Sequence, residues 1–249
     1  MHLINNLAMA IKTASAEKDF LGIRKIWEER FTTDPIYLNT IFEKVFPLCR
    51  SYVFSGGEGE ILSVISLMPM KFYAPEISGT ASDGYLKGYY LFGVATLEKA
   101  TGNHHAAALI EYASRQLAIE GYDFIFERPA NQELINFYLK FGFTKLIKKQ
   151  RYSLQHIQKL KITPYNTPQR DIETISDQIL TEIRDDFKTR LEWVNTTFLK
   201  KLIELGEIDR HNELQTSESL QERCFIAVKI LNNTPDSIFN NAFFCFPME

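Results

Sequence analysis

Between Lys87 and Leu117 the sequence sets a strand, a glycine-containing loop and a helix in the order that can hold a phosphate group. The run Lys-Gly-Tyr-Tyr-Leu-Phe-Gly-Val-Ala-Thr (87–96) is rich in aromatic and β-branched residues, which predicts a strand buried on both faces. The loop Ala100-Thr101-Gly102-Asn103-His104-His105-Ala106 follows. Then Ala106, Leu109, Ile110, Ala113 and Leu117 recur on one helical face, and Gly121 ends the helix. A strand that ends beside a helix N-terminus offers unpaired backbone N–H groups and the positive end of the helix dipole, which together attract an anion. His104 and His105 are not read as metal ligands, because adjacent histidines rarely converge on one ion and no carboxylate or cysteine pattern joins them. No metal is expected.

A second group lies downstream. Tyr122–Phe126 predicts another buried strand, and 131–141 predicts a short helix with Leu134, Phe137, Tyr138 and Phe141 at spacings of three and four, closed by Gly142. On its own, Tyr138 on such a face reads as a core residue. Together with the upstream loop, however, this pattern resembles the GNAT superfamily of N-acetyltransferases over about Met9 to Leu154. The family's Asn-x-x-Ala-x-x-(Leu/Phe)-Tyr-x-x-x-Gly-Phe is matched at Asn131, Phe137, Tyr138, Gly142 and Phe143, with Leu134 at the alanine position. Val94-Ala95-Thr96 is similar to the strand end that precedes the family's pyrophosphate loop. That loop has Arg or Gln, two residues, Gly, one residue, then Gly or Ala. Here those positions fall on Thr101, His104 and Ala106, and Gly102 matches a glycine common just after the Arg. Thr101 and His104 depart from the pattern. Glycine lets backbone approach a phosphate closely, whereas His104 adds a side chain where contact is tightest.

The resemblance implies an α/β (α+β) fold, a mixed central sheet flanked by helices, and a reaction. The reaction is transfer of an acetyl group from acetyl-CoA, as co-substrate, to a primary amine of a small molecule or peptide by direct attack. In such a site the pantetheine arm hydrogen-bonds along the strand at Gly93, Val94 and Thr96, so that Val94, Ala95 and Thr96 line the coenzyme. A backbone N–H near Val94 polarises the thioester carbonyl. The pyrophosphate rests on the loop formed by Thr101, Gly102, Asn103, His104, His105 and Ala106. Asn131 holds the coenzyme from the other side, and Tyr138 gives a proton to the departing thiolate. The acceptor must be a neutral amine, whereas a free lysine has a pKa of about 10.4. Glu98 and Glu127 are the candidate proton acceptors, directly or through a water, and nothing in the sequence separates them. The competing reading is a catalytically inactive GNAT-fold protein that binds acyl-CoA or acts as a scaffold. Thr101 and His104 favour that reading; Asn131 and Tyr138 favour the enzyme.

The elements that must position these residues begin with a strand near Met9–Thr13. A helix opened by Ser15 carries Phe20, Ile23, Ile26 and Trp27 at helical spacing, and a second is opened by Asp34-Pro35. Strands at Ser51–Phe54 and Glu60–Met70 are joined by Gly56-Gly57-Glu58-Gly59. With Phe143–Leu154 as a last strand the order is β-α-α-β-β-β-α-β-α-β. The Tyr89-Tyr90 and Phe72-Tyr73 pairs fit either an aromatic acceptor pocket or strand core. A boundary is expected after Leu154, giving a coenzyme-binding domain (1–155) and a C-terminal helix-plus-hairpin domain (156–249). In the latter, Lys161–Asp177 reads as a linker and Ile179 to Gly206 as a long helix with Trp193. Cys224–Leu231 and Ile238–Phe246 read as strands. This order repeats that of Asp34–Met70, so a partial second GNAT-like unit is one reading of it. Phe243-Phe244-Cys245-Phe246 reads as a buried or edge strand, with a homodimer contact as the alternative.

The totals restrict the function classes. The chain has 249 residues, 45% hydrophobic and 24% charged, enough apolar sequence for a real core. A net charge of -3 leaves no global basic field for nucleic acid or an anionic membrane. No window approaches the roughly 18 to 20 apolar residues of a membrane span, and the start does not read as a signal peptide. Cys49, Cys224 and Cys245 lack metal or redox spacing and read as free thiols, so a reducing, cytoplasmic location is expected.

Overall fold

In the computed structural model the described residues are 11–15, 17–57, 59–73, 84–148, 190–193 and 225–232. The chain divides into two units, Met1–Met68 with Tyr89–Tyr122, and Pro69–Gly88 with Asp123–Glu249.

The first unit opens with β1 (Ile11–Thr13) and α1 (Phe20–Arg30). Asp19 precedes α1 but does not cap it. Its buried carboxylate instead accepts from the Ser15 N–H and the Lys12 ammonium, both at 2.8 Å. The helix buries Ile23, Ile26 and Trp27, the face its apolar spacing predicts. At α2 (Pro35–Thr40), Asp34 Oδ1 accepts from the Ile36 and Tyr37 N–H groups and Pro35 occupies the first turn, as the Asp-Pro pair predicts. The helix then departs from regularity. It widens into a π turn at Ile41–Val45 and tightens into a 3-10 turn at Phe46–Leu48, where Pro47 has no N–H to continue the α ladder.

Next come β2 (Arg50–Ser55), β3 (Ile61–Tyr73) and β4 (Tyr85–Thr96), of which β3 and β4 contribute to both units. The sheet order here is β1-β2-β3-β4. β2 runs antiparallel to both neighbours, with Tyr52 opposite Thr13 on one side and Ile65 on the other. Buried Ser51 and Ser66 satisfy each other at 3.0 Å. The long helix α3 (His105–Ile119) packs on β2, with the Tyr112 ring 5.2 Å from Tyr52. Each fully buried Ile, Leu or Phe of this core contributes roughly 1.5–3 kcal/mol by leaving water.

In the second unit, β5 (Phe124–Glu127) leads to α4 (Gln132–Leu139) and β6 (Lys145–Lys148). β7 (Arg190–Trp193) pairs with the Met70–Tyr73 end of β3, and β8 (Phe225–Ile230) lies antiparallel between β5 and β6. The order is β4-β5-β8-β6. Gly88 lets β4 and β5 close together, because a Cβ there would sit 2.5 Å from the Phe124 carbonyl oxygen.

The sequence places the elements from β1 to β6 within a few residues; β5 begins at Phe124 rather than Tyr122. β8 matches the strand expected at Cys224–Leu231, so the chain beyond Leu154 supplies a strand that pairs with β5 and β6. The long helix expected over Ile179 to Gly206 is corrected by β7 inside it. Arg190-Leu191-Glu192-Trp193 alternates polar and apolar, and pairing with the edge of β3 decides the matter over helix propensity. The linker 161–177, the strand 238–246 and residues 149–154 lie outside the described residues. Among the described residues no helix is long and apolar enough to cross a membrane.

Candidate functional sites

In the first unit, the strand end that precedes the loop is held by side chains from β3. Ser63 Oγ donates to the Ala95 carbonyl at 2.9 Å and lies 2.9 Å from Thr96 Oγ1, so the Thr96 hydroxyl donates to Ser63. Gly93 has φ +62, a left-handed residue inside a strand, and a Cβ there would meet the Trp27 ring at 2.4 Å. Glycine is thus required twice over, for conformation and for space. Trp27 lies among Phe31, Phe42 and Phe92 at 4.7 to 5.7 Å between ring centroids, and its indole N–H is buried without a partner among the described residues.

The loop runs through a 3-10 turn (Glu98–Ala100), Thr101, Gly102 at φ +85 and Asn103, whose side chain donates to the Ala100 carbonyl at 3.2 Å. The Thr101 hydroxyl donates to the Leu97 carbonyl at 3.3 Å. His104 then stands at the N-cap of α3 with φ 58 and ψ 18. It is the one non-glycine with positive φ among the described residues. The loop therefore keeps, at the position where the motif has glycine, the left-handed backbone that glycine adopts freely. In His104 this costs on the order of 1 kcal/mol. The His104 side chain does not cap α3, and residues 101–104 are exposed. Among the described residues the first-turn N–H groups and the dipole of this 15-residue helix thus meet no side-chain acceptor.

His105 points elsewhere. Its ring stacks on Phe54 at 4.1 Å, Nδ1 is buried without a partner among the described residues, and burial, aided by neighbouring His104, depresses its pKa. It is neutral at pH 7 and offers an anion no charge. Beside the loop, a recess of about 400 Å³ is lined by Lys25, Glu29, Leu97, Glu98 and Lys99. The Glu29 carboxylate accepts from the Glu98 N–H, and Lys99 pairs with Glu60 at 2.6 Å.

The second unit holds the other constellation. Asn131 caps α4: its Oδ1 accepts from the Leu134 N–H at 2.9 Å. Tyr138 is buried, with its ring 5.2 Å from Phe137 and 5.4 Å from Phe143. Its hydroxyl acts on the carboxyl group of Glu127, the last residue of β5. Glu127 is 8% exposed, and Oε2 has no hydrogen-bond partner among the described residues. Burial pushes its pKa up to about 8, against smaller opposing effects of Arg128 and Tyr138.

Of the residues singled out in the sequence, Val94, Ala95, Thr96, Thr101, Gly102, Asn103, His104, His105 and Ala106 follow one another from β4 into α3. Asn131 and Tyr138 share α4 and its cap. The two candidate bases separate: Glu98 is exposed, Glu127 buried against Tyr138. Sequence reading could not make that distinction, because burial of a strand-end carboxyl depends on which helix folds over it. It also missed the Trp27–Gly93 contact, for which the sequence holds no signal. Phe72 and Tyr89 are buried, and the Tyr89 hydroxyl donates to the Tyr122 hydroxyl at 3.2 Å, which places both in the core. Among the described residues no cluster of His, Cys, Asp and Glu could hold a metal. The Cys49 thiol is pushed up to about 12 by burial and is inert.

No family model matches the sequence, and neither does any curated protein. Solved structures do. A GCN5-related N-acetyltransferase from Kribbella flavida is 11% identical with a TM-score of 0.50, covering 80% of this chain and 51% of its own. A probable N-acyltransferase from Enterococcus faecalis is 16% identical with a TM-score of 0.46, covering 55% and 34%. A GNAT-family N-acetyltransferase from Escherichia coli, in complex with CoA, is 18% identical with a TM-score of 0.42, covering 57% and 73%. The chain spans about a third of the Enterococcus protein and half of the Kribbella one. At these identities the likeness is one of fold. The chain has the GNAT fold, as the motifs at Val94 to Ala106 and Asn131 to Phe143 led us to expect.

Proposed function

We propose that this protein is an N-acetyltransferase that takes its acetyl group from acetyl-CoA and passes it to a primary amine of a small molecule or peptide. The observation that carries the reading is the start of α3: an exposed helix N-terminus, uncapped among the described residues, on a loop that keeps its left-handed turn through His104. Such an end is suited to a diphosphate, because backbone N–H groups and the helix dipole act together on the same anion. The β4 end, Val94 to Thr96, would take the pantetheine arm along its backbone. A neutral amine would attack the thioester carbonyl, with the negative charge on oxygen met by a backbone N–H near Val94. The leaving thiolate would receive its proton from Tyr138. Asn131 acts on this reading through its place in α4, since its side-chain oxygen already caps that helix.

The part beyond residue 155 would serve the enzyme by completing the sheet, through β8, beside the strand that carries Glu127. The second reading, an acyl-CoA-binding protein without turnover, draws on Thr101 and His105. The Thr101 hydroxyl is engaged within the loop and the His105 ring is neutral, so neither adds charge to the anion site.

The test is release of CoA thiol from acetyl-CoA in the presence of polyamines, arylalkylamines and peptide N-termini. The enzyme reading predicts acceptor-dependent release with at least one amine, reduced about a hundredfold or more in Tyr138→Phe, the usual range for losing a positioned acid. Acetyl-CoA binding with no acceptor-dependent release would favour the second reading.

A further inference from the structure

We propose that the indole N–H of Trp27 donates to the carbonyl oxygen of the coenzyme-bound acetyl group, beside the backbone N–H near Val94. The inference rests on the acetyltransferase reading above and adds a side chain to a step which that reading leaves to the backbone.

The first observation is an orphaned donor. Trp27 is 3% exposed, and its Nε1 is buried without a hydrogen-bond partner among the described residues. The ring packs with Phe31, Phe42 and Phe92, whose side chains hold no acceptor. Burying an unsatisfied N–H costs free energy, and a phenyl ring here would meet the same neighbours without that cost. Tryptophan at this position makes sense when an acceptor arrives from outside the fold.

The second observation is where the donor lies. A Cβ on Gly93 would stand 2.4 Å from Cζ2 of Trp27 and 3.1 Å from Cε2, the carbon bonded to Nε1. In an indole the N–H and the hydrogen on Cζ2 leave the same edge of the ring. The edge laid against Gly93 is therefore the one that carries the donor. Gly93 precedes Val94 and holds φ +62, which interrupts the regular strand. Phe92, Gly93 and Val94 are half-buried in succession, where a regular strand would alternate between its faces. This part of β4 is thus open to solvent along the backbone that the coenzyme arm would follow. Two of the rings packed on Trp27 are surface rings, Phe31 at 48% exposure and Phe92 half-buried. Exposed side chains of this kind change rotamer in picoseconds to nanoseconds, so the cover over the indole opens without disturbing the core.

The chemistry calls for such a donor. As the amine attacks, the carbonyl carbon becomes tetrahedral and its oxygen takes up negative charge, which returns to expel the thiolate. Donors fixed in advance around that oxygen, in a site lined by apolar rings, act on charge that exists only in the transition state. An indole is suited to this, because it is neutral and a donor only. It polarises the carbonyl without exchanging a proton with the amine or the thiolate. Trp27 keeps its N–H throughout, and the bonds made and broken are those of the transfer already described.

The experiment removes the donor and keeps the ring. The chain has two tryptophans, Trp27 and Trp193, so benzothienylalanine incorporated in place of tryptophan in a Trp193→Phe background replaces Trp27 alone. The analogue retains the fused rings and sets sulfur where indole has N–H. Trp27→Phe is the second variant. The deciding readout needs no acceptor amine: it is the infrared band of bound acetyl-CoA, isotopically labelled at the thioester carbonyl, whose frequency falls when the oxygen accepts a hydrogen bond. The band should lie lower on the Trp193→Phe protein than on the analogue protein or Trp27→Phe. Acetyl-CoA should bind the analogue protein about threefold to tenfold more weakly, the worth of one hydrogen bond, whereas CoA, which lacks the carbonyl, should bind both equally. With an amine acetylated in the panel above, kcat should fall about a hundredfold, the usual loss for one donor at such an oxygen. A carbonyl band that is the same with and without the indole N–H makes Trp27 a packing residue and overturns the inference, whatever the rate, while leaving the acetyltransferase intact. Failure of wild type to bind acetyl-CoA overturns both.

Discussion

The first turns of α3 and α4 are two helix starts solved in opposite ways. At α4, extended backbone at Asn131 (φ -158) turns the side chain back onto the Leu134 N–H, and the end is satisfied from within. At α3, His104 adopts a left-handed conformation, no side chain among the described residues caps the first turn, and residues 101–104 are exposed. The first arrangement stabilises the fold. The second gives up a cap and adds strain, which makes sense if an external anion completes it. The same contrast holds for the acids nearby. Glu98 is exposed beside the loop, whereas Glu127 is closed in behind Tyr138.

The largest effect that would sharpen this contrast is in the closed region. Glu127 has a folded pKa near 8, above the roughly 4.3 of a free glutamate, so the native state holds the proton more tightly than the unfolded chain. Stability must therefore fall as pH rises from about 4.3 to about 8, by an amount on the order of a few kcal/mol, and then level off. Urea unfolding across that range should show the slope in wild type and a much flatter line for Glu127→Gln. Equal slopes would mean that Glu127 is not buried as described. A smaller effect separates the two helix starts directly. Asn131→Ala should lower stability by about 1 kcal/mol, the usual worth of a lost cap, whereas His104→Ala should change it little because no cap is lost. Equal losses would break the comparison. The smallest change is His104→Gly. Relief of the left-handed strain, partly offset by the greater freedom of glycine in the unfolded chain, should raise stability by a few tenths to about 1 kcal/mol.

Much of this arrangement was legible in the sequence because it depends on local chemistry. The Asp34-Pro35 start, the apolar stripe of α3 and the glycines that end helices each act within one turn of chain. The motif at Asn131 to Phe143 likewise marked the helix. What stayed hidden depends on partners distant in sequence. The strand Arg190–Trp193 carries apolar residues that also suit a helix, and only pairing with Met70–Tyr73 makes it a strand. Asn131 reads in the sequence as a coenzyme contact, and only the placing of the Leu134 N–H shows it as a cap. His104 reads as damage to a glycine loop until its φ shows that the turn survives the substitution.

The most direct test of the account is a titration with acetyl-CoA followed by thermal unfolding, run on wild type, His104→Gly and His104→Asp. If the start of α3 takes the coenzyme diphosphate, wild type should gain about 2.7 kcal/mol at a hundred times the dissociation constant. His104→Gly should bind more tightly. His104→Asp, which sets a carboxylate at the same N-terminus, should be more stable without ligand and bind at least about tenfold more weakly. Equal shifts in all three proteins, or no shift in wild type at millimolar coenzyme, would contradict the account.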